Sequence, residues 1–199
     1  MNPIEEITFD GGRLCLDFTN TVSTRTPGKG EEYLLTWEDF AIWVRRAGFL
    51  PEAEFQAWQR LPPGEITEVR ALRDAVYELF NHWARHGAID TAHLDTLNAF
   101  LHEVYGHTCI RMTEKGLQRG VDDATQPERP LWIIALSAES LLLSERLPRV
   151  KSCDNCGWLF LDTSKNGARR WCNMQTCGSQ TKAKAWYHRK KDAENKSTR

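Results

Sequence analysis

Two residues separate Cys153 from Cys156, fifteen separate Cys156 from Cys172, and four separate Cys172 from Cys177. A two-residue spacing lets one tight turn aim both thiolates at a single ion about 2.3 Å away. Gly157, directly after the first pair, suits that turn. Four sulfur donors leave no coordination position for a substrate, so the metal expected is one structural Zn2+ held by Cys153, Cys156, Cys172 and Cys177. A disulfide framework requires an oxidising compartment, and residues 1–6, Met-Asn-Pro-Ile-Glu-Glu, carry neither the basic region nor the apolar run of a secretory signal. A thioredoxin-like pair would need a βαβ setting. An iron–sulfur cluster also uses four thiolates, but the hairpin expected between the pairs favours zinc. Cys15 and Cys109 stand alone and read as small apolar residues.

Around these ligands the pattern is that of a compact finger. Residues 158–161, Trp-Leu-Phe-Leu, read as a short strand, residues 163–167 as a turn, and residues 169–172 as the returning strand. Ser179 is placed to cap a helix running from Thr181 to about Asp192. Knuckle, hairpin and helix in this order make a treble-clef finger.

Charge divides the chain at the same place. Residues 149–199 hold twelve Lys or Arg against four Asp or Glu, whereas residues 1–148 hold fourteen against twenty-three. The net charge of −1 therefore joins a segment of +8 to one of −9, an asymmetry expected where one part meets a polyanion. Arg169, Arg170, Lys182, Lys184, Arg189, Lys190 and Lys191 are the candidate nucleic-acid contacts. Ala183, Trp186 and Tyr187 are expected to pack the helix on the hairpin.

The preceding 148 residues read as mostly helical. Residues 7–18 suggest a hairpin turning at Asp10-Gly11-Gly12, with Leu14, Leu16 and Phe18 on one face. Thr36, with Asp39 three residues on, marks a helix start, followed by the apolar stripe Phe40, Trp43 and Val44. Residues 51–60 form a short helix. Residues 64 to about 85 carry Val69, Leu72, Val76, Leu79, Phe80 and Trp83 at three- and four-residue steps. Thr91 opens another helix, residues 108–121 alternate around Lys115-Gly116 as a hairpin, and residues 130 to about 145 are apolar on nearly all sides, as suits a central helix. The longest apolar run, Leu131 to Leu136, is far short of the roughly 20 residues needed to cross a membrane. A cytoplasmic location and no membrane partner are expected. The resulting fold class is α+β, mostly helical: a helical bundle with β-hairpins over residues 1–148 and the finger over residues 149–199.

With these elements in place, the run from Cys153 to Arg189 resembles the CGNR zinc finger, above all in residues 158–166 (WLFLDTSKN) and 169–174 (RRWCNM). Residues 12–21 (GRLCLDFTNT) resemble the opening of the ABATE domain that precedes that finger in bacterial proteins. The resemblance implies a stress-induced transcription regulator with a sensor domain and a DNA-binding finger. One departure stands out: Cys177-Gly178 is followed by Ser179-Gln180, where the family has Asn-Arg. Gln180 cannot supply the charge-assisted phosphate contact of a guanidinium, leaving Lys182 and Lys184 to compensate.

Asp17, Asn20 and Thr21 are the candidate ligand-binding residues, a carboxylate, an amide and a hydroxyl beside the bundle. Asp17 and Asn20 can equally bond the local backbone. Two functional readings follow. The first is a ligand-responsive regulator with DNA, a small-molecule effector and a second copy of itself as partners, since a single finger makes few base contacts. The second is a zinc-containing adaptor for a protein or RNA, without sequence-specific DNA binding. No nucleophile–base pair, phosphate loop or open metal site points to catalysis, and no catalytic residue is expected.

Overall fold

The computed structural model describes residues 2–113, 116–122 and 125–197. A one-turn helix α1 (Pro3–Glu6) is capped by Asn2, whose side chain accepts from the Ile4 amide. Helix α2 (Leu14–Thr19) follows a glycine turn, where the sequence pattern suggested a returning strand. An alternation only five residues long fits either periodicity once a segment is buried on several sides. Here Cys15, Leu16 and Phe18 are all fully buried, between the long helices described next. The Gly11 amide donates to Asp17 Oδ1 at 2.7 Å, tying the turn to the helix it precedes. A Cβ on Gly11 would lie 2.7 Å from the Asp17 nitrogen, so only glycine fits this approach.

Helix α3 (Trp37–Ala47) begins at the expected capping box, with Thr36 Oγ1 accepting from the Asp39 amide and Asp39 accepting from the Thr36 amide. It stops at Gly48 in the left-handed conformation. Its stripe of Phe40, Trp43 and Val44 joins Phe18 and Trp58 in an aromatic centre, with Phe18 and Trp43 ring centroids 5.2 Å apart. Helix α4 (Glu52–Trp58) adds Phe55 and Trp58. Helix α5 (Ile66–His86) buries Val69, Leu72, Val76, Leu79 and Phe80, the 3.6-residue stripe read from the sequence. After a 3-10 turn, Thr91–His93, capped by Asp90 rather than Thr91, helix α6 (Leu94–Tyr105) packs beside it. Strands β1 (Thr108–Thr113) and β2 (Gly116–Val121) form the antiparallel hairpin, with Met112 opposite Leu117; Lys115 of the expected turn lies outside the described residues. Helix α7 (Arg129–Leu142) supplies the centre with Leu131, Trp132, Ile134, Ala135, Ala138 and Leu141.

A 3-10 turn, Leu147–Arg149, leads into the finger. Strand β3 (Val150–Ser152) pairs antiparallel with β4 (Leu159–Leu161), Val150 facing Leu161. Residues 158–161 were expected to pair with residues 169–172, yet their partner lies upstream and the first cysteine pair sits inside the hairpin. Asp162 explains the difference. Its buried carboxylate accepts from the Ser164 amide and hydroxyl, the Arg169 amide and Lys151 Nζ, so residues 163–169 wrap around it as a loop. Burial opposes its ionisation, but those donors hold its pKa far below the ordinary carboxylate value.

Finger and bundle share one interior. Val150, Leu159 and Leu161 belong to the same apolar core as Phe18, Leu72 and Val76. Asn20, almost fully buried, donates from Nδ2 to the Leu159 carbonyl at 2.8 Å and accepts from the Leu159 amide at 2.9 Å. Trp158 Nε1 donates to the Val22 carbonyl, the Arg25 amide to the Cys156 carbonyl, and the Leu161 amide to the Gly11 carbonyl. Replacing Asn20 by Ala strands a buried donor and acceptor of Leu159, each costing about 1–3 kcal/mol. In chemical denaturation Asn20→Ala is expected to lose about 3 kcal/mol and still unfold in one transition. A loss below about 1 kcal/mol would show that Asn20 does not clamp the two parts together.

Candidate metal centre

The four cysteine sulfurs converge, all within 4.8 Å of one another. Cys156 and Cys177 each lie 3.6 Å from Cys172, sulfur to sulfur. Four ligands at about 2.3 Å in a tetrahedron have edges of about 3.8 Å, so the spacing suits one Zn2+ and no larger cluster. The knuckle closes through the Gly157 amide donating to the Cys153 carbonyl at 2.9 Å and the Cys153 amide donating to the Trp158 carbonyl at 2.8 Å. Gly157 takes φ 73°, the left-handed conformation the turn demands.

Without a cation, the thiols must share one another's protons. Hydrogen bonds from Cys156, then Cys172, lower the pKa of Cys153, and the bonds to Cys153 raise those of Cys156 and Cys172, so the crowded sulfurs cannot all ionise unaided. A divalent ion removes that conflict, because all four sulfurs then ligate as thiolates. Phe160, fully buried, with Trp158 and Trp171, packs about the ligands and keeps water from them.

The second pair is positioned by a helix start different from the one expected. Asn173, not Ser179, is the cap: its Oδ1 accepts from the Gln175 and Thr176 amides. A single π-helical turn, Met174–Gly178, then carries Cys177 inward and runs into α8 (Ser179–Ser197). A Cβ on Gly178 would come within 2.6 Å of Met174 Sδ, so a larger residue there would require the exposed Met174 side chain to move aside. Ser179 Oγ instead donates to the Met174 carbonyl. Gln180, at the family's arginine position, accepts from Asn155 Nδ2 at 3.1 Å and so bridges helix and knuckle.

The basic residues divide in two. Arg169 is taken up by the finger itself: Nε donates to the Trp171 carbonyl at 2.9 Å, Nη2 to the Cys172 carbonyl, and the guanidinium lies 4.6 Å above the Phe160 ring centre. Arg170 pairs with Asp154 at 2.7 Å but keeps two thirds of its side chain in solvent. Lys182, Lys184, Arg189, Lys190 and Lys191 are all exposed on α8. Trp186 and Tyr187, expected against the hairpin, are 59% and 60% exposed, so neither is buried against the body of the finger. Lys190 lies 5.6 Å from the Trp186 ring centre.

Asp17, Asn20 and Thr21 are brought together at the end of α2, each facing a backbone partner. Asp17 accepts from Gly11, Asn20 grips Leu159, and Thr21 Oγ1 donates to the Phe18 carbonyl at 2.8 Å. Burial, reinforced by the nearby Asp10 charge, pushes the Asp17 carboxyl up to about 7 against the opposing Gly11 hydrogen bond. The sequence reading missed Asp162 and Asn173 as organisers of the metal loop. The Asp-Thr-Ser run at 162–164 and the asparagine ahead of the last ligand were their signals.

The sequence matches the family described as "Putative stress-induced transcription regulator", ABATE, over residues 12–145, and the CGNR zinc finger over residues 149–190. No curated protein matches the chain. Neither matched family is an enzyme family. No helix among the described residues is long and apolar enough to cross a membrane.

Elemental analysis is expected to find one zinc per chain, and Cys172→Ser to retain much less than one. Because the hairpin shares the bundle's interior, chelation should also lower the melting temperature of the whole chain; a full equivalent retained by Cys172→Ser would contradict the ligand set. For Asp17, a folded pKa above the unfolded value of 3.8 means that its stabilising share is complete below that value and is lost as pH rises towards 7. The gap corresponds to at most about 4 kcal/mol. Asp17→Asn keeps an acceptor for Gly11 and cannot ionise, so its stability relative to wild type should rise by about 2 kcal/mol between about pH 4 and about pH 8. A difference that does not vary with pH would refute the raised pKa.

Proposed function

Because the chain belongs to the ABATE family of stress-induced transcription regulators and carries a CGNR zinc finger after that region, we propose that it is a DNA-binding regulator. Its finger anchors a basic helix against the phosphate backbone, and its bundle senses a small-molecule effector. The observation that carries this reading is α8. The helix starts one residue beyond the buried Gly178 that follows the last ligand, Cys177, and holds six Lys or Arg against two Asp or Glu. At 100° per residue Lys182, Trp186, Arg189 and Lys190 share one face, and Lys184, Tyr187 and Lys191 another. A helix exposed at every described side chain from Lys182 to Lys191, five of them basic, gains most from a charged partner outside the protein.

Lys182, Lys184, Arg189, Lys190 and Lys191 are the residues assigned to phosphates, with Arg170 at the finger's edge. Arg169 belongs to the fold of the finger, so its substitution would act on DNA affinity through zinc and stability. Trp186 and Tyr187 stand among the basic side chains, where their rings can lie against sugar or base. A single finger contacts few base pairs, so specificity would come from a second copy of the chain on an adjacent half-site.

A salt titration tests the reading. Binding of zinc-loaded protein to double-stranded DNA should weaken with a log–log slope of about −4 to −5 if five phosphates are neutralised. Replacing Lys182, Lys184, Lys190 and Lys191 together by Ala should flatten the slope by about one for each lysine, with zinc content unchanged. No binding at about 50 mM salt would overturn DNA as the partner and leave the adaptor reading.

A further inference from the structure

A cavity of about 760 Å3 lies away from Asp17, Asn20 and Thr21, between α7, the inner face of the β1–β2 hairpin and the segment joining α3 to α4. That is ample for a small organic molecule. Arg129, Ile133, Leu136 and Ser140 line it from one face of α7, at the spacing of successive turns. Phe49 and Leu50 give an apolar wall opposite.

One end of the cavity is cationic and incompletely paired. The Arg129 side chain is only 4% exposed. Its Nη2 donates to Glu54 and to the Val121 carbonyl, while Nε and Nη1 find no partner among the described residues. Arg111 reaches the same point: its Nη2 donates to the Val121 carbonyl at 2.6 Å and its Nη1 lies 3.7 Å from Glu54. Glycine at position 120 makes room for it, since a Cβ there would lie 2.2 Å from Arg111 Nε. Two guanidiniums thus converge on one carboxylate, Glu54, and Asp122, which also meets Arg111, is largely in solvent. Buried N–H groups are nearly always satisfied, and the partner that gives the two open N–H groups of the Arg129 guanidinium their strongest hydrogen bonds is an anion.

We propose that this cavity binds a small amphipathic carboxylate, its anionic head against Arg129 and Arg111 and its apolar body along Ile133, Leu136, Phe49 and Leu50. The proposal rests on the regulator reading only in making that molecule the effector. Two elements of the cavity lead straight to the finger: α7 runs through residues 147–149 into β3, and Leu14, also in the lining, opens α2, whose end holds the Asn20 clamp on Leu159. Occupancy therefore bears on the two attachments that fix the finger.

Calorimetric titration of the zinc-loaded full chain, without DNA, tests the site apart from the finger. Octanoate is the probe, 1-octanol its neutral counterpart and octylamine its cationic one. Octanoate should bind at one per chain, at least about tenfold tighter than octanol, since only it gains charge-assisted hydrogen bonds; octylamine should be weakest. Arg111→Ala, at a partly exposed residue, should cut the octanoate preference severalfold, and Ile133→Trp, which fills the apolar channel, should weaken octanoate and octanol alike. Equal affinity for octanoate and octanol would overturn the anionic head, and no binding of any of the three would overturn the site.

Discussion

Four sulfurs meeting at one point organise the finger from Cys153 to Cys177. Among the described residues, Phe160, Trp158 and Trp171 are the large apolar side chains packed about the four cysteines, a small cluster to offset the conformational entropy of ordering the loops between them. A divalent cation supplies the missing free energy, since the ligands have no preformed arrangement in the unfolded chain. The Asp162 loop, the Asn173 cap and the Arg169 guanidinium are subordinate to it. Each fixes a stretch of backbone between two ligands, and together they leave the sulfurs no other geometry.

The same centre reaches into the bundle. The cysteine-bearing hairpin contributes Val150, Leu159 and Leu161 to the main interior, while the knuckle's outer edge is braced by Arg25. Arg25 donates its backbone amide to Cys156, pairs with Asp74 at 3.0 Å, and sets its guanidinium 4.0 Å above the Tyr77 ring centre. Arg73 extends the brace with two bonds to Glu32 and two to Asp74. Breaking one partner of such a buried set strands a charge, which costs more than the pair itself contributes. The finger is therefore attached through apolar contact, the Asn20 clamp and an ionic brace.

What could be read from the residues alone divides by sequence distance. The zinc ligands, the Thr36–Asp39 box, the stripe of α5 and the residue 108–121 hairpin depend on neighbours within a few positions, and local spacing records those. Helix α2 does not: four of its six residues, Cys15, Leu16, Phe18 and Thr19, are buried, on more than one side, so alternation and helical periodicity look alike. Asn20 looked like a ligand-binding amide because its partner, Leu159, stands 139 positions away. The finger's strand pairing failed for the reverse reason. The nearer partner in sequence, residues 169–172, was assumed, whereas Asp162 claims the Arg169 amide and bends that stretch out of register. The cationic cavity was invisible too, because Arg111, Arg129 and Glu54 come from three separate elements.

Charge asymmetry acquires a direction from the fold. The excess of nine negative charges lies in residues 1–148 and the excess of eight positive ones beyond them, with Arg169 withdrawn into the finger and six Lys or Arg carried on α8. Fields of surface charges fade over about 8 Å at physiological ionic strength. The acidic bundle would repel a polyanion that came close to it, so the approach that charge leaves open to one runs along α8 and the edge bearing Arg170. Gln180 fits this division. Bonded to Asn155, it binds helix to knuckle where the family's arginine would offer charge, and the exposed charge is carried farther along α8, by lysines that are not metal ligands.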